Sequence, residues 1–187
     1  MRIIAGSRQG RPILEPTTRE IRPMREAVRA ALFNILQDVV GESRFLDLFA
    51  GTGSVGLEAL SRGARSCDFV DSSAEAIAII QKNLKALELE SQARVHQQDA
   101  LKAIEHFYQH KEKFDLIFIG PPYGKRYAIL AFETLAGHPI LSEDGIAVTE
   151  VFKKEKLADA YGSLSLFEER QYGDNLLRFY HLSDTKE

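Results

Sequence analysis

The sequence predicts a doubly wound α/β fold, a parallel sheet with helices on both faces. Three observations point to it. From residue 44 onward, short apolar runs alternate with stretches of helical periodicity. One of those runs, Phe114–Ile119, is apolar almost throughout, as suits a strand buried on both faces. Glycines cluster between the first run and the helical stretch that follows it.

In chain order, residues 2–15 read as two short strands, Arg2–Ala5 and Arg11–Leu14, around a Gly6-to-Gly10 turn. A helix is expected over Arg25–Val39. Its stripe is Val28, Ala31, Leu32, Ile35, Leu36 and Val39, and Gly41 is its stop. The alternation then begins with strand Arg44–Phe49 and helix Ser54–Arg62, which Gly63 ends. Strand Ser66–Val70, helix Ser73–Leu87, strand Arg94–Gln97 and helix Ala100–Tyr108 follow. Strand Phe114–Ile119, helix Tyr127–Ala136 and strand Gly145–Glu150 complete the crossover units. Leu164–Glu169 and Asn175–His181 suit an antiparallel pair turning at Tyr172-Gly173-Asp174. This organisation divides into an arginine-rich extension, residues 1–23, and a principal domain, residues 24–187.

Composition narrows the function. The chain has 187 residues, 44% hydrophobic and 27% charged, enough for one domain with its own core. A net charge of −3 excludes a uniformly basic coat. Residues 1–40 nevertheless hold seven arginines against four acids, a local patch suited to phosphate. Cys67, the single cysteine, excludes a disulfide framework and a Cys-rich zinc site, and its place in an apolar strand suits the core. His96, His106, His110, His138 and His181 lack metal-ligand spacing, so no metal is expected. No apolar run nears the roughly 20 residues of a membrane span, and the N-terminus lacks a signal-peptide core, so a cytoplasmic monomer is expected.

Two strand ends carry the chemistry. The first strand runs into Asp47-Leu48-Phe49-Ala50-Gly51-Thr52-Gly53-Ser54-Val55-Gly56. Gly51, Gly53 and Gly56 allow a tight turn and let a ligand lie against bare backbone at a helix start. Asp71 closes the next strand with Ser72 behind it, where a carboxylate can accept ribose hydroxyls. A dinucleotide and S-adenosylmethionine both suit such a loop. Asp47 favours the second, because a carboxylate there attracts an α-ammonium and repels a pyrophosphate. Asp99, with Ala100, ends the third strand, as an acceptor near an adenine amine and equally as a helix N-cap. The fourth strand delivers Gly120-Pro121-Pro122-Tyr123, a rigid corner with carbonyl acceptors and a ring for stacking a planar base.

Together, the hairpin, the Arg22–Leu36 helix, the Asp-Leu-Phe-Ala-Gly-Thr-Gly loop and the Pro-Pro-Tyr corner resemble the RsmD-type 16S ribosomal RNA guanine-N2 methyltransferases over nearly the whole chain. The resemblance implies a Rossmann-like class I methyltransferase sheet of seven strands, the last antiparallel. It also implies S-adenosylmethionine as donor and a guanine of 16S ribosomal RNA, free or in a small-subunit assembly particle, as acceptor. On it, Asp47, Gly51, Gly53 and Asp71 hold the donor, Asp99 lies near its adenine, and Gly120 to Tyr123 form the catalytic turn. Arg2, Arg8, Arg11 and Arg22 are the arginines expected to grip RNA. The chain departs from the family at Gly120, where Asp or Asn is usual, at Met24 for threonine, and at Ala30 for an acid.

Gly120 matters most for the chemistry. An aromatic exocyclic amine delocalises its lone pair, and two fixed acceptors for its hydrogens aim that pair at the methyl group. Glycine leaves backbone carbonyls alone, so slow transfer is expected. A catalytically silent RNA-binding or assembly module, a dinucleotide-dependent oxidoreductase, and transfer to a small-molecule or protein amine stand as alternatives.

Overall fold

The computed structural model describes residues 1–16, 24–122 and 126–183. Strands β1 (Arg44–Leu48), β2 (Ser66–Asp71), β3 (Ala93–Gln97), β4 (Phe114–Ile119) and β5 (Leu141–Phe152) form a parallel array. Helices α2 (Ser54–Ser61), α3 (Ala74–Leu87), α4 (Ala100–Gln109) and α5 (Tyr127–Gly137) connect them, and α1 (Glu26–Ile35) precedes β1. Antiparallel strands β8 (Asn175–Leu182), β7 (Leu164–Tyr172) and β6 (Ala160–Tyr161) extend the far edge, giving the order β3-β2-β1-β4-β5-β8-β7-β6. The sheet is therefore eight-stranded among the described residues, where seven strands were expected. The addition is two-residue β6, which folds back on β7 and is too short to show in a sequence pattern.

The sheet's two faces carry separate apolar clusters. Val28, Leu32 and Phe33 of α1, with residues of α2 and α3, cover Phe45, Phe69, Phe118 and Val148. Helices α4 and α5 cover Leu46, Leu48, Ile117 and Ile119 on the other face. Burial on both faces explains why β1 and β4 read as largely apolar runs, broken only by Arg44, Asp47 and Asp115.

Two expected boundaries move. Helix α1 stops at Ile35, short of Val39, yet Leu36 and Val40 stay buried because a tight turn carries the stripe onward. Strand β5 starts at Leu141, before Gly145, since a register shift lets Leu141 pair with Phe114. The Ser142 hydroxyl holds that irregularity, sharing its one proton between Phe114 O at 3.0 Å and the Asp115 carboxylate at 2.8 Å.

The N-terminal residues pack onto the domain. The expected strands Arg2–Ala5 and Arg11–Leu14 reduce to one bridge, Arg2 to Pro12, with a few flanking backbone hydrogen bonds. Ile3 and Ile13 enter the α1–α2 core, each contributing about 1.5–3 kcal/mol by burial. The segment buys little pairing of its own because its polar groups are satisfied by helix α2. Glu58 accepts from Ile4 N at 2.8 Å and Ala5 N at 3.0 Å, while Ser61 O accepts from Ser7 N at 2.7 Å. Helix α2 is consequently buried along its entire length, between the sheet and this segment.

Gly56 marks where α2 meets the sheet. A Cβ there would lie 2.3 Å from Phe69 Cε1 and 2.6 Å from Cys67 Sγ, both in fully buried side chains. Gly56→Ala is therefore expected to destabilise the fold by about 1–3 kcal/mol through overpacking. Urea titration checks this; an unchanged midpoint would show that α2 is free to lift.

Candidate active site

Parallel strands deliver their carboxyl ends to one edge, and the strand order reverses beside β1, the place where sheets of this kind seat their ligands. Phe49, directly after β1, adopts φ 63°, a left-handed backbone that bulky residues rarely take. Its ring meets Tyr127, at the start of α5, with centroids 5.8 Å apart. That reversal throws the chain into the glycine loop. Gly51 and Gly53 follow at φ 56° and 75°, and Gly53 is the left-handed N-cap of α2.

The loop is tied from below and from the side. Asp47, only 1% exposed, accepts from Gly56 N at 2.9 Å. Burial pushes its carboxyl up to about 8; the Gly56 N–H opposes that shift and the nearby Asp71 charge adds to it. Asp71 accepts from Gly51 N with one oxygen and from Ser73 N with the other, both at 2.9 Å. It thus joins β2 to the loop and leaves further lone pairs on each oxygen. Thr52 Oγ1 is buried within the loop and has no hydrogen-bond partner among the described residues. From α3, buried Asn83 donates to Thr52 O and Leu14 O and accepts from Leu14 N, linking the loop to the N-terminal segment.

Around this floor, the structure brings Asp47, Gly51, Gly53, Gly56, Asp71 and Ser72 together at the ends of β1 and β2. Asp99, at the end of β3, caps α4 by accepting from Leu101 N and Lys102 N, and Ala100 is buried behind it. A cap of this kind leaves the second carboxylate oxygen available. Across β4, Gly120 N donates to Leu48 O at 3.2 Å, so the corner is anchored to β1. Pro121 is buried and Pro122 exposed; Tyr123 lies outside the described residues.

Phe118 occupies the volume above Gly120. A Cβ on Gly120 would stand 2.6 Å from Phe118 Cε1, so an acidic side chain at 120 requires that ring to swing aside. This exchange of glycine for space could not be read from the sequence, since Phe118 looks like any strand phenylalanine.

The arginines are dispersed. Arg8 Nε donates to Leu87 O at 2.6 Å, and Arg11 reaches Ala86 O at 2.5 Å. Both thus meet the carbonyl end of α3, where cations offset the helix dipole. Arg2 is exposed, while Arg22 lies outside the described residues. Sequence reasoning also missed Arg29 and Glu58, fully buried side chains that clamp the N-terminal segment.

This arrangement of strand ends suits a nucleoside with a cationic group. It has bare backbone at a helix start, an unmatched hydroxyl, a buried acid short of a cation, and a second acid with spare lone pairs. Residues 1–181 match the family model described as "Conserved hypothetical protein 95". "Putative rRNA methyltransferase YlbH" of Bacillus subtilis is 35% identical over 173 residues, covering 92% of this chain and 94% of that protein. "Ribosomal RNA small subunit methyltransferase D" of Haemophilus influenzae is 34% identical over 158 residues, covering 84% and 81%. Among solved structures, "Putative methyltransferase yhhF" from Escherichia coli aligns with a TM-score of 0.84 and 29% identity over 98% of both chains.

Proposed function

We propose, for a chain that belongs to the conserved hypothetical protein 95 family, that it methylates the exocyclic N2 amine of a guanine in 16S ribosomal RNA, acting as a monomer. The observation that carries this reading is the buried, cation-seeking Asp47 beneath the glycine loop, one strand away from the Gly120-Pro121-Pro122 corner. The names of the relatives favour a sulfonium donor over a dinucleotide.

Asp47 would meet the donor's ammonium, and the loop at Gly51, Gly53 and Gly56 would lie along its backbone. Asp71 with Ser72 would take the ribose hydroxyls, and Asp99 with Ala100 the adenine edge. Bound S-adenosylmethionine supplies a methyl group on a sulfonium, already activated for in-line displacement without a metal. The chain's own work is to fix the amine. Pro121, held rigid and anchored through Gly120 N, presents a carbonyl to one amine hydrogen, and Tyr123 would stack the base. At Gly120 no side chain adds a second acceptor, and removing one such group typically costs about 10²–10³ in rate.

Labelled methyl transfer to 16S RNA and to small-subunit particles from cells lacking this protein tests the reading. Label on N2 of one guanine is expected. Label elsewhere corrects the acceptor, and none on either substrate overturns the assignment.

RNA contact is expected at Arg2, whose guanidinium is free of the helix-capping duty of Arg8 and Arg11. Arg2→Ala should weaken RNA binding and reduce the log–log salt slope by about 1, with donor affinity unchanged. An unaltered slope would remove Arg2 from the interface. Alanine at Arg8 or Arg11 should instead lower the melting temperature, because α3 loses its carbonyl partners.

A further inference from the structure

The carboxyl edge of the sheet continues past the Gly120 corner onto a basic surface. Ile119 is in register with Thr149, so Lys153, directly after β5, stands three residues beyond the level of Gly120, roughly 10 Å on and one strand across. A tight turn follows, closed by Glu155 N donating to Phe152 O at 2.8 Å, and it exposes Lys153, Lys154 and Lys156. The β7–β8 turn meets it there, where Lys153 Nζ donates to Asp174 Oδ1 at 2.7 Å. Arg25, exposed at the start of α1, donates to Tyr172 O at 3.0 Å beside the same turn. It gives α1 no side-chain cap, so its charge adds to the positive end of that helix.

Separate elements thus bring Arg25, Lys153 and Lys154 around one exposed acid, Asp174. They hold its carboxyl below the usual carboxylate range, Lys153 first through its hydrogen bond and its charge, then Arg25 and Lys154 by charge. One acid against these cations leaves an excess of positive charge. The neighbouring acids act elsewhere: Glu155, half-buried, on the Tyr161 hydroxyl, and Glu26 on the Arg29 guanidinium. Lys154 and Lys156 make no hydrogen bond or close ion pair among the described residues.

Arg8 and Arg11, by contrast, hold the carboxyl end of α3. That helix crosses from β2 back to the start of parallel β3, so its carboxyl end lies at the opposite edge from the Gly120 corner. A base presented at the corner has to leave its stack, and its flanking phosphates then pass over the corner's own edge. We propose that Arg25, Lys153, Lys154 and Lys156 form the phosphate-binding face that holds the RNA strand beside the acceptor base. The inference rests on the RNA methyltransferase reading above.

Fluorescence anisotropy of labelled single-stranded 16S RNA fragments, titrated at several potassium chloride concentrations, tests it. The double variant Lys154→Ala, Lys156→Ala removes two exposed cations and no hydrogen bond. It should weaken binding, flatten the log–log salt slope by about 1.4, and raise KM for RNA with kcat and donor affinity unchanged. The loss should be alike for matched and scrambled sequences. Asp174→Asn should act in the opposite sense, tightening binding and steepening the slope, a gain that damage to the fold does not imitate. Arg65→Ala, at the amino end of β2 on the opposite edge, should change neither. A double variant with the parent's slope, or Asp174→Asn without a gain, overturns the inference. So does a loss seen with small-subunit particles and not with naked RNA, which would assign the face to a protein of the particle. A parent that binds RNA with this lysine dependence and methylates no 16S guanine upholds the face and overturns the proposed function instead. A parent that binds no RNA overturns both.

Discussion

Asp47→Asn is expected to raise the melting temperature of the ligand-free protein at pH 8 while abolishing measurable affinity for S-adenosylmethionine. Asp47 is 1% exposed, and burial is the main reason its carboxyl rises from 3.8 to about 8. A raised acid in the folded state holds a proton that the unfolded chain releases. Below pH 4 both states are protonated and the residue is neutral in effect. Between about 4 and 8 stability falls as pH rises, and above 8 the penalty is constant. At about 1.4 kcal/mol per pH unit, the accumulated penalty is on the order of 5 kcal/mol. Asparagine cannot ionise, yet its carbonyl can still accept from Gly56 N, so the variant escapes the penalty. The melting-temperature difference between variant and parent should therefore widen from pH 4 to pH 8 and then level off.

The same residue predicts the pH dependence of donor binding. An ammonium over Asp47 favours the carboxylate, so binding at pH 7 should release about one proton. Calorimetry in two buffers of different ionisation enthalpy measures that release directly. A stability difference that is flat with pH, together with binding that releases no proton, would show that Asp47 is already charged and paired with something other than the donor.

How much of this was legible follows from the range of each signal. Asp47 and the glycine loop declare themselves because turn geometry and ligand contact act within ten residues. Strand β4 does so because burial on both faces leaves an apolar run from Leu116 to Ile119. Asp71 reads as a ribose acceptor from its spacing, but its bonds to Gly51 N and Ser73 N depend on how the loop folds back. Gly56 belongs to the loop by sequence, whereas the Phe69 ring 2.3 Å from its missing Cβ makes it a packing residue as well. The arginine patch is the hardest to read. An Arg aimed at phosphate and an Arg capping a helix 75 residues away, as Arg11 does, look alike in one dimension.

The second large effect is expected at Glu58, far from the chemistry. Glu58→Ala should destabilise the protein by about 3–5 kcal/mol, because it strands Arg29, a guanidinium with no solvent exposure. The Arg29 Nε lies 3.7 Å from Glu58 Oε2, and the group's other nitrogens reach Arg2 O and Met1 Sδ. Burial lowers the Arg29 pKa, and the Glu58 charge works against that shift. Alanine would also orphan Ile4 N and Ala5 N, each costing about 1–3 kcal/mol if it stays buried. Arg29→Met should cost less, since Glu58 keeps the Arg62 Nε at 2.8 Å and both backbone donors. That asymmetry separates a clamp from a generic core defect. Hydrogen exchange should locate the damage at Ile3 to Ala5 and Gly10 to Ile13, with β4 and β5 still protected. The loss should then travel. Once the segment lifts, Leu14 leaves Asn83, and the amide that steadies Thr52 O loses its other anchor. Weaker donor binding in Glu58→Ala at temperatures where the protein is still folded is the expected sign of that link. Equal destabilisation by Glu58→Ala and Arg29→Met, or donor affinity untouched by either, would show the N-terminal segment to be a passive cover.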